Sequence, residues 1–322
     1  MPLETLEFEE PIAVLLKEID ALELLPHTEG RDREVDSLRR RIETVRAELY
    51  RSLTPWQRVQ VARHPNRPGV EDFIARLFTN FVELHGDRRF ADDHAIMTGL
   101  ADYKGQPLLL VGHVKGGDTK EKIFRNFGYA RPEGYRKALR AMRLAEKFRR
   151  PILVFVDTPA AFPGIESEER GVAEAIAVNL REMMLLDTPI IIIVSGEGGS
   201  GGALGIAVGD RVLMQEFAIY SVIPPEGCAA ILWRDAAKKA DAAAALKLTA
   251  PDLLRADLVD EIIPEPVGGA HTNPAAAAQH VDQVLGRVLG EVTALDSETR
   301  LAQRYDKFRN MGRVGIDFVE NG

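Results

Sequence analysis

The chain holds 322 residues, 45 % of them hydrophobic and 28 % charged, with a formal net charge of −8. This is the composition of an ordinary globular protein, long enough for one large domain plus appendages. A single cysteine, Cys228, excludes an internal disulfide framework and a cysteine-cluster zinc site, and no run approaches the roughly twenty apolar residues of a membrane-spanning helix.

The opening MPLETLEFEE is acidic and lacks a basic region followed by an apolar core, so no secretory signal is expected and the cytoplasm is the expected location. Charge is unevenly spread: between Lys115 and Arg150, twelve Lys and Arg stand against four Asp and Glu. That stretch reads either as a solvated helix face or as a docking surface for an acidic carrier or a phosphorylated ligand. Nucleic acid is not expected to bind an acidic chain with 7 % aromatics and no recognisable module.

Residues 1 to about 55 read as helical. Leu38, Ile42, Val45 and Leu49 form a narrow apolar stripe between charged faces, as in a short helical hairpin packing on itself or a partner. Pro55, Pro65 and Pro68 mark a link to the main domain. From Val70 an amphipathic helix is expected to carry Phe73, Leu77, Phe78 and Phe81. Strands at 95–100 and 107–114 follow, joined as a hairpin through Tyr103-Lys-Gly105. After the turn at Lys115, Gly116 and Gly117, a helix is expected from Glu133 to Phe148, then a buried strand from Pro151 ending in Asp157-Thr-Pro. One long helix is expected from Glu166 to about Leu186.

The five residues Ile190–Val194 read as a strand buried on both faces, and six glycines follow within Gly196–Gly205. Strands at Val212–Met214 and Ile219–Ile223, an alanine-rich helix from Ala236 to Leu248, and one or two final amphipathic helices complete the chain. Strands alternating with helices after an initial hairpin indicate an α/β fold of repeated β-β-α units. The expected division is a helical segment at 1–55, a main domain at 56–270 and C-terminal helices at 271–322.

Three glycine-bearing turns follow strand ends, where α/β folds place their sites: Lys115–Gly117, Asp157–Gly164 and Gly196–Gly205. The last fits G-x-G-x-x-G, yet only about eight residues precede the next strand, too few for a proper crossover helix. A phosphate-binding P-loop fails, since no Gly-Lys-Ser/Thr follows. From spacing alone a dinucleotide loop, close helix–strand packing, and an oxyanion or acyl-binding turn all stay open. Asp157 reads as a base or as a turn cap, and Cys228 as a small buried residue. His113, the only histidine in a candidate site turn, reads as a ligand contact or as a satisfied structural residue. With no obvious acid, base or nucleophile, the pattern favours catalysis by backbone N–H groups, with the proton acceptor supplied by a cofactor.

The runs Gly112-His-Val-Lys-Gly116, Arg125-Asn-Phe-Gly128, Pro132-Glu-Gly-Tyr-Arg-Lys-Ala-Leu-Arg140, Asp157-Thr-Pro, Glu168-Glu-Arg-Gly171, Gly196–Ala203, Tyr220-Ser-Val-Ile, Pro225-Glu-Gly-Cys-Ala229 and Ile263–His271 together resemble, in order, the carboxyltransferase alpha subunit of bacterial multisubunit acetyl-CoA carboxylase. The resemblance implies a crotonase-like fold and transfer of a carboxyl group from carboxybiotin to acetyl-CoA, giving malonyl-CoA for fatty-acid synthesis. It implies as partners a zinc-bearing beta subunit in a heterotetramer, the biotin carboxyl carrier protein, and biotin carboxylase in the whole ATP-using complex. The metal sits in the beta subunit and none in this chain, and the biotin ureido nitrogen takes the methyl proton.

By position, the resemblance places the oxyanion donors at Gly201, Gly202 and Ala203. Among the expected cofactor-binding residues, Gly198 and Gly199 shape the biotin pocket, and Asp157, Phe162 and Gly164 belong to the segment that forms a wall. Lys115 beside Gly116 is a candidate, with the basic helix, for a carrier or CoA-phosphate contact. One departure stands out: the family usually reads Asp-Thr-Pro-Gly-Ala-Tyr-Pro-Gly, where this chain has Ala160 and Phe162. A methyl at 160 needs a torsion outside the left-handed region, and Phe162 offers no hydroxyl.

Overall fold

In the computed structural model, residues 5–312 are described. The first two helices, α1 (Glu10–Glu23) and α2 (Glu29–Arg51), bury Ile12, Leu15 and Ile19 against Val35 and Ile42 in a cluster of their own. Leu38, Val45 and Leu49 pack against that cluster, so the apolar stripe is the seam of the helix pair. Thr28 starts α2 by accepting the Arg31 N–H.

The expected link at Pro55 is instead a helix, α3 (Pro55–Ala62). Proline at the first helical position and a reciprocal Thr54–Gln57 cap favour that start. Val59 and Val61 are completely buried, so α3 is part of the packed body.

The next helix, α4 (Val70–Leu77), ends before Phe78, whose backbone is extended. Phe81 therefore lies in a strand, β1 (Thr79–Glu83), that the sequence reading missed. Its ring lies over Gly99 of the neighbouring strand, where a Cβ would collide with it. The hairpin forms as expected from β2 (Ile96–Tyr103) and β3 (Gln106–His113), with Tyr103 opposite Gln106. Lys104 and Gly105, both at positive φ, make the two-residue turn.

The remaining elements are α5 (Thr119–Phe124), α6 (Pro132–Lys147), β4 (Ile152–Thr158), α7 (Ile165–Glu169), α8 (Val172–Leu185), β5 (Ile190–Gly199), α9 (Ser200–Leu204), β6 (Arg211–Gln215), β7 (Ile219–Ser221), α10 (Pro225–Trp233), α11 (Lys239–Leu246), α12 (Ala250–Arg255), β8 (Glu261–Ile263), α13 (Pro274–Thr293) and α14 (Ser297–Asn310). The single helix expected over 166–186 is broken into α7 and α8 by Gly171, at φ 77°. The alanine-rich helix is shorter than expected and begins with a tight turn at 236–238.

The sheet runs β1-β2-β3-β4-β5-β6-β8, with β7 pairing β5 beyond the end of β6. The first three strands are antiparallel and the rest parallel. Alternate residues of β4 and β5 feed two separate cores, which explains why their runs are continuously apolar. Val154, Ile190 and Ile192 face Ala138 and Met142 of α6 and Met183 of α8. Leu153, Phe155, Ile191 and Ile193 face Phe73 of α4 and the Val281–Leu285–Val288 stripe of α13.

The last helix is locked by a buried ion pair. Arg304 donates to both Asp210 oxygens at 2.8 Å and to the carbonyls of Met183, Leu186 and Thr188. The C-terminal ends of β3, β4 and β5 meanwhile gather three turns on one edge of the sheet.

Candidate functional site

A polar cleft of about 520 Å³ opens on that edge, between the segment joining α3 to α4 and the turn joining β3 to α5. Arg63, His64, His113, Lys115, Gly116 and Asp157 contribute to its wall. Lys115 Nζ lies 2.7 Å from Asp157 and 3.2 Å from Glu197. Burial presses against the ammonium, but the two carboxylates more than offset it and hold its pKa above the ordinary lysine value. Asp157 also accepts the Glu197 N–H at 2.8 Å. Engaged on both counts, its carboxylate latches the ends of β3 and β5 together and is not a free base. Gly196 makes that contact possible, because a Cβ there would collide with the Asp157 carboxylate. Gly116 adopts φ +85° with the backbone of α5 pressed against it, at the tightest point of its turn.

Sequence reasoning missed the charges that continue this network. Arg63 donates to Glu197 at 2.8 Å and to Glu226 at 2.7 Å. Arg67 holds Glu265 through two bonds of 3.0 and 2.6 Å and donates to the Ser195 carbonyl. One signal was available: Glu197 is the single charge in β5, a strand buried along its whole length. A buried carboxylate requires a cationic partner, though the sequence does not say which.

The glycine segment is only partly the loop it was expected to be. Gly196–Gly199 continue β5, with Gly198 paired to Thr158 on one side and Tyr220 on the other. Here the pairing with β4 and β7 overrides the weak strand propensity of glycine. The turn proper begins at Ser200, a non-glycine residue at φ 51°, and leads into the short α9. A Cβ at Gly199 would strike the Pro159 carbonyl, and one at Gly202 the Ala160–Ala161 peptide. Gly201 is freer: the nearest atom to a Cβ there would be Ile176 Cδ1 at 3.6 Å. It borders an apolar cavity of about 320 Å³ walled by Tyr220, Leu253 and Phe308 among others. Ala203 is completely buried. Two side chains hold the turn from behind: Tyr135 donates to the Gly202 carbonyl at 3.3 Å, and Asn179 to the Gly205 carbonyl at 2.9 Å.

In the Asp157–Gly164 segment, Ala160 is not among the residues at positive φ, so its methyl is accommodated. Phe162 lies against the Arg131 guanidinium, 4.8 Å from ring centre to carbon, and a Cβ on Gly164 would collide with the same ring. The structure thus brings Lys115, Gly116 and Asp157 together in the cleft. The glycine turn stands behind it, and Phe162 and Gly164 lie outside its wall.

The basic stretch is partly neutralised within the chain. Lys137 is buried and meets Asp92 at 2.6 Å, Arg136 meets Asp87 and Glu133, Arg125 meets Glu71, and Arg143 meets Glu182. With Lys115, these pairs engage five of the twelve basic residues and leave seven outside any ion pair among the described residues, so the expectation of a docking surface stays open. Cys228 is buried, as expected. Among the described residues no group of three His, Cys, Asp or Glu is placed to hold a metal ion, and no helix is long and apolar enough to cross a membrane.

Two buried histidines set an acid response. Burial and then the Lys115 ammonium bring His113 down from 6.5 to about 3. Burial, then the stacked His64 and the Arg67 and Arg46 charges, bring His271 to about 3. Between these values and 6.5 the unfolded chain binds more protons than the folded one. Stability is therefore expected to fall as pH drops from about 6.5 toward about 4.5, by up to about 1.4 kcal/mol per pH unit for each histidine. Denaturant midpoints across that range check this, and a flat profile would contradict it.

The family described as acetyl co-enzyme A carboxylase carboxyltransferase-like matches residues 5–312. The acetyl-coenzyme A carboxylase carboxyl transferase subunit alpha of Geobacter metallireducens is 55 % identical over 309 residues, covering 96 % of this chain and 97 % of that one. Its counterpart in Geobacillus kaustophilus is 53 % identical over 313 residues, with 97 % and 96 % covered. Among solved structures, transcarboxylase 12S superposes with a TM-score of 0.55 at 20 % identity, covering 69 % of this chain and 42 % of that one. A Pseudomonas malonate decarboxylase hetero-tetramer bound to coenzyme A gives 0.56 at 18 %, with 73 % and 94 % covered. These two likenesses bear on fold alone, and the fold is the expected crotonase-like one.

Proposed function

Since the chain belongs to the family of acetyl-CoA carboxylase carboxyltransferase alpha subunits, we propose a site for its reaction in which backbone N–H groups, not acidic or basic side chains, carry the catalysis. The protein is a biotin-dependent carboxyltransferase subunit that works in the conversion of acetyl-CoA to malonyl-CoA, a step of fatty-acid biosynthesis. The observation that carries this is the match along residues 5–312, with more than half the positions identical to named relatives.

Gly201 and Gly202 present N–H groups at the turn after β5, with Ala203 next in line, and these are the donors for oxygen charge that develops in the reaction. Each well-aimed donor contributes about 3–4 kcal/mol in a dry site. Gly198 and Gly199 set the backbone path that lets the turn approach the Pro159–Ala161 wall. Lys115, Gly116 and Asp157 line the cleft for the biotin head group, while Phe162 and Gly164 lie outside it on the segment after β4. A cleft of about 520 Å³ lined by Lys115, Asp157 and a buried histidine, His113, suits a polar heterocycle. When bound, that group supplies the carboxyl unit and a ureido nitrogen able to accept the methyl proton. A proton acceptor from outside the chain agrees with the engagement of Asp157 by Lys115.

The reading extends to a zinc-bearing beta subunit that contributes most of the acetyl-CoA site, to the biotin carboxyl carrier protein as donor, and to biotin carboxylase in the full complex. A cytoplasmic location goes with these partners. Val222 and the Ile231–Leu232–Trp233 end of α10 expose apolar surface that a partner would cover, in support of an obligate assembly. The test is malonyl-CoA decarboxylation with free biotin as acceptor, using this chain with and without a purified beta subunit. Turnover only with both is expected. No turnover from a complex shown to form would overturn the reading.

A further inference from the structure

His113 ends β3 with its side chain 1 % exposed, yet neither ring nitrogen makes a hydrogen bond of good geometry, and the polar group the ring approaches is the Gly202 backbone. Buried polar groups are almost always paired, so an orphaned one calls for an explanation. His113 is among the residues lining the cleft, two residues from Lys115, whose ammonium is committed to Asp157 and Glu197. On its other side runs the Gly202 backbone, whose carbonyl already accepts from Tyr135. His113 therefore stands between the cleft and the glycine turn and touches the surroundings of both. We propose that His113 is a substrate-contacting residue that donates its ring N–H to an oxygen of the biotin head group in the cleft. The proposal rests on the function argued above.

Three features of the site support this role. The imidazole stays neutral at working pH, with its pKa lowered to about 3 by burial and by Lys115. It therefore keeps one donor and one acceptor nitrogen, and adds no second charge beside the Lys115 ammonium. A cyclic urea offers a carbonyl oxygen and N–H groups, which are the complements of those two nitrogens. A phosphate or carboxylate ligand would instead call for free cations. Of the four Lys and Arg lining the cleft, Arg63, Arg67 and Lys115 are already paired with Glu197 or Glu265, which leaves Lys122 alone.

The test uses the complex with the beta subunit. His113→Phe removes both polar atoms and keeps a ring, so its melting temperature is expected to match or exceed the wild type. The KM for free biotin is expected to rise about tenfold, and His113→Gln, which restores a donor, to recover most of it. Independently, adding 2-imidazolidinone, a bare cyclic urea, is expected to shift the ¹⁵N signals of the His113 imidazole. If the wild type turns over but both variants keep its biotin KM and the ¹⁵N signals do not move, the histidine is structural and the proposal fails alone. If the wild-type complex shows no biotin-dependent turnover, the functional reading fails and takes the proposal with it.

Discussion

Replacing Gly202 by alanine is expected to lower biotin-dependent carboxyl transfer about 10²–10³-fold. The added Cβ would fall on the backbone of Ala160 and Ala161, not on a side chain that could swing aside. That backbone is itself pinned: Ala161 bridges Ala130, and Phe162 donates to the Ala130 carbonyl at 2.9 Å. The glycine turn must therefore move, and its N–H groups lose their aim. Gly201→Ala is the control. It keeps every N–H, and its Cβ would meet nothing closer than Ile176 Cδ1 at 3.6 Å, an ordinary contact. Steady-state kinetics of both variants in the assembled complex separate the two. Equal, near-normal activity would remove the turn from the reaction centre.

The elements that sequence located best are those buried on both sides. β4 and α6 fall within a residue or two of their expected bounds, and β5 begins where expected but runs five residues further into the glycines, because their apolar runs or stripes have one stable placement each. β1 is hidden because Phe81 continues the helical spacing of Phe73 and Leu77, while what decides against a helix is non-local: the pairing with β2 and the room over Gly99 for the Phe81 ring. The 55–62 stretch was mistaken for a link because proline marks a helix start as readily as a break.

The site divides in the same way. Its glycines and Lys115 were legible, since they sit in short runs after strand ends. The charges that organise it were not, because Arg63 and Glu197 stand 134 residues apart and Arg67 and Glu265 198 apart. Nor could the sequence say that His113 lacks a hydrogen bond of good geometry, since an unsatisfied atom is a property of the assembled interior. The resemblance carried the function, while the geometry separated the cleft from the glycine turn.

The largest stability loss is expected from Arg304→Ala. Its guanidinium is completely buried and Asp210 is nearly so, and the pair is bidentate at 2.8 Å. Truncation leaves the carboxylate in a dry interior with the Ile190 N–H as its remaining side-chain contact, and strips donors from the Met183, Leu186 and Thr188 carbonyls. Breaking a buried pair from one side costs about 3–5 kcal/mol. Arg304→Met combined with Asp210→Asn removes both charges, so it should cost clearly less than the single truncation. Denaturant midpoints of the single and double variants decide this; equal losses would mean that side-chain volume, not the stranded charge, sets the cost. The effect should also reach the site. Phe308, one turn beyond Arg304 on α14, walls the apolar cavity that Gly201 borders. Loosening α14 would remove that wall from one side of the glycine turn, so the single variant should lose activity at temperatures below its melting point, and the double variant should regain it.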